Sequence, residues 1–392
     1  MHIKWSSRLK ERLLLGRTVS FTGQRVRSAL YRPFCKQFMY FDDTLVHRPG
    51  QFPRILPGPD SGNLLIWLKI GGDWPFFALT SNVITDQLPQ GGSQCFPFYT
   101  YAEDGTNRRE NITDWALEQF RAHYSDPSIT KWDILHYIYA VLHHPEYRQR
   151  YAANLRRELP RIPFVSASGA KAQIKDDADA ALKRRSSTVT SSRSSTVTSS
   201  RSSTVTSSND GVRVGASVEE RPFRAASEQE DSRALAPVPS DLDVFHAFVS
   251  AGQRLAEIHV HYEQQPEYPL TKTEKAGEKL DYRVTKMRLS KDKTSLIYNQ
   301  FLTLSGIPPD TYEYRLGNRS ALEWVIDQYQ VSTDKRSGIT NDPNREDDPQ
   351  YILRLIGQVI TVSLETVKIV RSLPPLGLPE EKSPTSPAVN LE

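Results

Sequence analysis

Residues 130–144 read TKWDILHYIYAVLHH and carry the clearest helix signal in the sequence. Thr130 is followed three residues later by Asp133, the arrangement of a capping box that closes the first turn of a helix. Pro145 cannot continue the helix interior, so the helix is predicted to stop after His144. This helix is the fixed point from which the neighbouring elements are assigned.

On either side of this helix, the sequence alternates between strand and helix signals. Short apolar runs bounded by Gly and Pro, at 64–70 and 76–79, predict buried strands. Further helices are predicted from about Asn111 and from Pro145 to Leu159. The last of these repeats apolar residues at i, i+4 spacing and carries arginines on its other faces. The first part of the chain therefore mixes strands and helices.

A second structured block begins with a helix predicted from Ser240. Strand-like stretches follow at 282–289 and 295–304. A helix capped by Ser320, with Glu323 at its third position, comes next, and another is predicted from near Pro349. The fold class is therefore predicted to be α+β, with two structured blocks that pack together.

Between the two blocks, from 165 to 240, aromatic residues nearly vanish and Ser, Ala, Arg, Asp and Glu dominate. The unit RSSTVTSS occurs three times in tandem from Arg185 to Ser208. The serines beside arginines suit a phosphorylation tract, but a repeat expansion tolerated in a loop is the favoured interpretation. The predicted organisation is thus a first block at 1–164, a disordered insertion at 165–240, a second block at 241–373 and a proline-rich disordered tail at 374–392.

The sequence contains only incomplete matches to the catalytic motifs of methyltransferases, nucleotide-binding proteins, nucleases and zinc sites. Residues 307–310, IPPD, lack the flanking residues with which an adenine methyltransferase holds its target base. No phosphate-binding loop surrounds Gly277, and the Glu-Glu-Lys at 380–382 is only the short half of a nuclease motif. The histidines at 143–144 and at 259 and 261 have no Cys or carboxylate at zinc-like spacing. The chain is predicted to have no catalytic centre, metal or cofactor of its own.

Composition also bears on compartment. The two cysteines, Cys35 and Cys95, imply no disulfide framework and fit a reducing compartment. An apolar run of about 18 residues does not occur, and charged residues follow the first five positions. The chain is predicted to be cytoplasmic, with no membrane partner.

Basic residues are concentrated near the start of the chain, although its net charge is only +4. Residues 1–40 carry nine Lys and Arg against Glu11 alone, interleaved with aromatic residues. Such a pattern suits phosphate neutralisation with some base contact, or a solvated basic face in front of an aromatic core. A second basic stretch at 272–293 is diluted by acidic residues, and a polar, turn-rich loop lies at 332–344.

Several segments, in this order, resemble one known family, the C-terminal specificity domain of Type ISP restriction-modification enzymes. The segments are Tyr31-Arg32-Pro33-Phe34, Tyr40-Phe41-Asp42, the helix from Trp132 to His143, Pro145-Glu146-Tyr147-Arg148, Arg161-Ile162-Pro163-Phe164, Ala251-Gly252-Gln253-Arg254-Leu255-Ala256, His261-Tyr262-Glu263, Tyr298-Asn299, and Glu323 to Gln330 followed by Asp334 to Ile339. The resemblance spans nearly all of both blocks. Family members join the two blocks by a much shorter connection than the one found here.

The resemblance implies a target-recognition domain that binds duplex DNA, reads a short site and presents it to a methyltransferase. Nuclease, ATP-driven translocase and methyltransferase portions accompany this domain in full-length members. S-adenosylmethionine, ATP and Mg²⁺ are accordingly expected only in those portions. The methyltransferase and translocase portion and duplex DNA are the expected partners, as in phage defence.

The predicted DNA contacts are Arg, Asn and Lys residues. Arg and Asn can form two hydrogen bonds with a base edge, and Lys neutralises phosphate. The predicted residues are Arg25, Arg27, Arg32 and Lys36, followed by Lys335, Arg336 and Asn341 from the polar loop. Two alternatives stay open: a module that docks on a partner enzyme, or an inactive remnant of a split enzyme, neither binding DNA by itself.

Overall fold

A computed structural model describes residues 7–18, 20–42, 45–46, 49–69, 74–89, 92–167, 239–277, 279–335 and 338–378. The predicted insertion therefore lies almost wholly outside the described residues, as does most of the predicted tail. The described residues form mixed helices and small sheets, which confirms the predicted α+β class. All of them belong to one compact unit that contains both structured blocks.

The first block opens with a short helix and two small sheets. The elements are α1 (Ser7–Leu14), β1 (Val26–Arg32), β2 (Cys35–Tyr40), α2 (Phe52–Ile55), β3 (Leu65–Lys69), β4 (Ala78–Ser81), β5 (Ile84–Thr85), β6 (Ser93–Pro97), β7 (Tyr99–Thr100) and β8 (Arg109–Glu110). One sheet has the order β2-β1-β5 and another has the order β4-β3-β6, while β7 and β8 form a separate pair. Every residue of β3 and β4 is buried, as predicted for the apolar runs at 64–70 and 76–79.

Four helices complete the first block: α3 (Asp114–Tyr124), α4 (Lys131–Val141), α5 (Pro145–Arg150) and α6 (Ala152–Leu155). The capping box of α4 forms between Thr130 and Asp133, as predicted. The single helix predicted from 145 to 159 is wrong, because it bends at Tyr151 and ends at Leu155. The chain then turns back onto the bundle, where the Tyr147 hydroxyl donates to the Arg161 carbonyl at 2.8 Å.

The second block starts with α7 (Asp241–Val260), which Ser240 and Asp243 cap at its N-terminus. This helix packs along α4 at Gly252, where a Cβ atom would lie 1.8 Å from the His136 carbonyl oxygen. The two backbones are therefore in direct contact, and this crossing holds the first block to the second.

The remaining elements of the second block are β9 (Thr271–Glu274), β10 (Arg288–Leu289), β11 (Ser295–Ile297), β12 (Leu302–Ser305), β13 (Arg315–Leu316), β14 (Arg319–Ser320), α8 (Ala321–Gln328), β15 (Ser332–Thr333), β16 (Thr340–Asn341) and α9 (Tyr351–Arg371). Strands β9 to β12 form an antiparallel sheet in the order β10-β11-β12-β9. The strand predicted over 282–289 shrinks to β10. The reason is that the Asn344 side chain pairs with both the amide and the carbonyl of Val284, at 2.7 and 2.8 Å, where a neighbouring strand would otherwise bond.

The packed core extends slightly past both predicted block boundaries. Val165 and Ala167 are buried, and the Ala167 amide donates to Asp241 Oδ1 at 2.7 Å, so the ends flanking the insertion meet. Leu376 is fully buried, and the Ser166 amide donates to its carbonyl at 3.3 Å. The start of the predicted tail is thus part of the core.

Candidate DNA interface

The β1–β2 hairpin is fastened to the second block by its turn. Phe34 in this turn has a φ of 57°, a left-handed conformation that costs free energy for a bulky residue. Its ring is fully buried and lies edge-on to Tyr262 at 5.1 Å and to Tyr314 at 6.2 Å. Burial of the Phe34 ring compensates the strained backbone and fixes the hairpin relative to the second block.

The outward face of the hairpin carries exposed aromatic rings. Phe38 is 83% exposed opposite Ser28, and Phe21 is 76% exposed and stacks on Tyr40 at 5.4 Å. The alternative of a basic face with the aromatic residues behind it in a core therefore holds for Phe34 but not for Phe21 or Phe38. We call Phe21, Phe38 and Tyr40 the aromatic ridge.

An open cleft of about 570 Å³ lies beside the ridge. The β1–β2 hairpin lines one side of the cleft with Ser28 and residues 35–38, and the polar loop and its continuation line the other with residues 341–345 and Asp347. Glu263, Gln328 and Tyr329 complete the lining. The fold thus brings Lys36 of the first block and Asn341 of the second into one cleft, as two of the predicted contact residues.

Three of the predicted basic contacts already have carboxylate partners. Arg25 pairs with Asp42 and Arg32 with Asp86, while Lys36 Nζ lies 2.8 Å from Glu263 Oε2. Lys36 also lies 4.6 Å from the centre of the Tyr262 ring. These side chains are oriented by the protein, and a phosphate would have to compete with the carboxylates for them.

Arg27 lies in the interior, unlike Arg25 two residues before it. The residue is 9% exposed, and its guanidinium donates to the carbonyls of Leu56 at 3.2 Å and Gly58 at 2.6 Å. Desolvation by burial lowers the pKa of Arg27 from its usual value. The geometry gives this residue a structural role, because it ties β1 to the chain after α2.

Of the predicted loop contacts, Lys335 and Asn341 are exposed, and Arg336 lies outside the described residues. The loop rests on the segment 283–285: Arg283 pairs with Asp342, and the Val331 amide donates to the Thr285 carbonyl at 3.2 Å. The polar loop and the second basic stretch therefore share one surface.

The second basic stretch, 272–293, contributes two cations that were not among the predicted DNA contacts. Lys286 and Arg288 are exposed, and within the described part of the chain neither has a carboxylate within ion-pairing distance. The cleft is also lined by three residues that were not among the predicted DNA contacts, namely Gln37, Phe38 and Arg345. Exposed and buried positions do not alternate along β2, where Gln37 and Phe38 are both exposed, so no periodic signal in the sequence indicated Phe38.

His143 and His259, one histidine from each pair, meet inside the protein, whereas His261 is exposed. His143 and His259 are both buried, with ring centres 5.5 Å apart, and His259 bridges the Tyr139 hydroxyl at 2.6 Å and the Thr366 hydroxyl at 2.9 Å. Burial and the nearby Arg148 lower the pKa of His259 to about 3. Within the described ranges, no group of three or more His, Cys, Asp or Glu could hold a metal ion.

No helix among the residues described is long and apolar enough to cross a membrane. Among curated proteins, no sequence matches this chain.

Several solved structures are similar to this chain. A nuclease-deletion mutant of the Type ISP restriction-modification enzyme LlaGI, in complex with a DNA substrate mimic, is 30% identical with a TM-score of 0.65, over 96% of this chain and 27% of that one. ATP-dependent LlaBIII bound to DNA is 28% identical with a TM-score of 0.68, over 95% of this chain and 20% of that one. The DrdV–DNA complex is 28% identical with a TM-score of 0.67, over 95% of this chain and 31% of that one.

The chain thus spans less than a third of the length of these three proteins. The family model that matches it describes the Type ISP C-terminal specificity domain and covers residues 1–173 and 235–355, that is, the first block and the second block as far as the start of α9. This chain belongs to the Type ISP C-terminal specificity domain family.

Proposed function

We propose that this chain binds duplex DNA along the cleft and reads a short sequence for the methyltransferase and translocase-nuclease portions of a Type ISP-like restriction-modification system. The observation that carries the proposal is the shared cleft of the β1–β2 hairpin and the polar loop, in a domain whose structural relatives are bound to DNA. Recognition is its whole contribution, and S-adenosylmethionine, ATP and Mg²⁺ serve the other portions.

Phosphate contacts fall mainly to cations without carboxylate partners. Displacing counterions from DNA requires positive charge that the protein has not already neutralised. Lys286, Arg288 and Lys335 meet this requirement in the described residues. Arg25, Arg32 and Lys36 are held by Asp42, Asp86 and Glu263, and they give orientation more than affinity.

Base reading falls to amide side chains at the cleft. Asn341 is exposed at its rim and can offer an amide donor and acceptor to an adenine edge. Its loss is expected to relax discrimination at one base pair by about 1–3 kcal/mol. Loss of a phosphate contact would instead weaken binding to all sequences alike.

A selection from a pool of random duplexes tests the proposal with the full chain. We expect enrichment of one short sequence and a binding constant that falls with salt. Changing Lys286, Arg288 and Lys335 together to Gln should lower the salt slope by about 2 to 3, since each contact contributes about 0.9. The control variant changes Arg156 and Arg157, which are exposed on the turn after α6, to Gln, and it should leave the salt slope unchanged.

Binding without enrichment of any sequence would limit the chain to nonspecific contact. No binding at all would overturn the proposal and favour the second role, docking on the enzyme portion. The exposure of helix α1 favours docking. None of its residues is buried, and Leu13, Leu14 and the following Leu15 are all more than half exposed. In that case, changing Leu13 and Leu14 to Ser should abolish co-purification with a methyltransferase portion such as that of LlaGI.

A further inference from the structure

Phe38 is the most exposed member of the aromatic ridge, and no packing in the described structure accounts for its position. Burying a phenylalanine side chain stabilises a protein by about 1.5–3 kcal/mol, a gain that is forgone here. Its cross-strand neighbour Ser28 is small and exposed, so the ring has no apolar partner across the strand. Strand β2 is also the edge of its sheet, so no further strand covers the position beside the ring.

The surroundings of the ring are polar and suited to nucleic acid. Phe38 shares the lining of the cleft with Gln37, Asn341, Asn344 and Arg345. Three carboxylates also line the cleft, and two of them, Glu263 and Asp342, are paired with Lys36 and Arg283. Amide and guanidinium groups around an aromatic ring are the groups that contact base edges while a ring occupies a base step. A protein interface would place apolar residues around such an anchor, with the polar ones at its rim.

The strand that carries the ring is held in place. The hairpin is anchored at its turn by buried Phe34, and the Lys36 ammonium is fixed between Glu263 and the Tyr262 ring. Residues 34 and 36 therefore set the position of the strand that carries Phe38. A side chain that must unstack bases needs such a support, because the cost of unstacking is a few kcal/mol per step.

We infer that Phe38 inserts between adjacent bases of the bound duplex and unstacks them, so that sequence is read partly through the ease of deforming one base step. The inference rests on the proposed DNA binding and adds a specificity-determining residue to it. Flexible pyrimidine–purine steps would be favoured at the insertion point, because they unstack at the lowest cost.

The test uses the full chain and a duplex obtained by the selection, labelled with 2-aminopurine at successive positions in separate samples. Insertion should raise the fluorescence of the probe at one step only. Phe38→Ala should abolish that rise and weaken binding about 5- to 150-fold, the range seen when a ring that stacks on a base is removed. Phe38→Trp should retain both the fluorescence rise and the wild-type affinity. Trp115→Ala is the matched control, since Trp115 is 70% exposed on α3, and it should change neither.

The two proposals fail separately. If the wild-type chain binds no duplex, the proposed function falls and the insertion with it. If the wild-type chain binds but Phe38→Ala keeps the fluorescence rise and an affinity within twofold, only the insertion is overturned. Loss of binding to the methyltransferase portion with unchanged DNA binding would likewise overturn it and assign Phe38 to a protein contact. Because Phe38 is exposed, both variants should melt at the wild-type temperature.

Discussion

Two arginines on the same stretch of chain differ in what surrounds them. Arg25 is half exposed and paired with Asp42, whereas Arg27 is buried and donates to two backbone carbonyls. Arg27 lies on the inward face of β1, whereas Arg25 precedes the strand, in a single 3-10 turn at Gly23–Arg25, and so does not follow the alternation of the strand. A double change of both arginines would therefore mix an effect on DNA binding with an effect on folding.

Arg27→Met is expected to destabilise the fold by about 1.5–3 kcal/mol, because the Leu56 and Gly58 carbonyls lose a charged donor. Chemical denaturation at pH 7.5 measures the change. The salt slope of DNA binding, taken where the variant is folded, should stay at the wild-type value. Arg109→Met, on an exposed strand, serves as control and should cost under about 0.5 kcal/mol. A reduced salt slope for Arg27→Met would return this residue to the interface.

The buried histidines are neutral in the folded protein. Burial is the largest cause that lowers the pKa of both His143 and His259, and the positive charge of Arg148 acts in the same direction. In the unfolded chain these histidines have ordinary pKa values near 6.5. The unfolded state therefore binds more protons below that pH, and the stability present above it is lost as the pH falls.

The free energy of unfolding should accordingly fall as the pH drops below about 6.5, by roughly 1.4 kcal/mol per pH unit for each histidine that stays neutral in the fold, and for His259 the loss continues toward its folded pKa of about 3. Denaturation series at pH 7.5, 6.0 and 5.0 would show the loss. His259→Gln should be less stable at pH 7.5 but flatter with pH. His246→Gln, at an exposed position, is the control and should keep the wild-type slope. An unchanged slope in His259→Gln would contradict the assignment.

At the scale of elements, the crossing of α4 and α7 decides how the blocks join. Close approach of two helices requires a residue without a side chain at the point of contact, and Gly252 supplies it against the His136 carbonyl. Around this contact, Tyr137 packs against Phe245 and Phe248 with ring centres 5.1 and 5.9 Å apart. The crossing thus combines backbone contact with an aromatic core.

Gly252→Ala should be among the most damaging small substitutions in the chain. The added methyl cannot be accommodated by rotating a side chain, since the obstacle is backbone, and overpacking of this kind costs about 1–3 kcal/mol or more. A lower melting temperature by circular dichroism is the expected result. Gly23→Ala is the control, because no atom lies within 4 Å of its added Cβ. Equal melting of the two variants would show that the helices separate without cost.

At the scale of the whole molecule, two distant stretches of chain form one compact unit. The flanks of the insertion meet where Ala167 bonds to Asp241, and the family model omits residues 174–234. The closure entropy of a connection grows only with the logarithm of its length, so an insertion at this point is tolerated at small cost. The insertion therefore interrupts the sequence of the domain but not its core.

Deleting residues 174–234 should leave the folded domain intact. The remaining residues are long enough to join two flanks that already contact one another. We expect a melting temperature no lower than that of the full chain, together with unchanged enrichment in the duplex selection. Aggregation or loss of the melting transition would show instead that the removed residues contribute to the core.

The sequence by itself determined the elements with strong local signals. The caps of α4, α7 and α8, the buried strands and the mixed fold class all follow from side-chain periodicity and from short-range hydrogen bonds. The order and the residues of the segments that resemble the Type ISP specificity domain also indicated the family. These features depend on residues a few positions apart, so they can be recognised without knowing the rest of the fold.

Only the tertiary structure decided which predicted contact residues share a surface. It placed Arg27 inside, paired three of the basic residues with carboxylates, and set the β1–β2 hairpin beside a loop some 300 residues later. The strand predicted over 282–289 is likewise shortened where the side chain of Asn344, 60 residues later, bonds to the backbone of Val284. Charge neutralisation and burial depend on neighbours far away in sequence, and no local pattern specifies those neighbours.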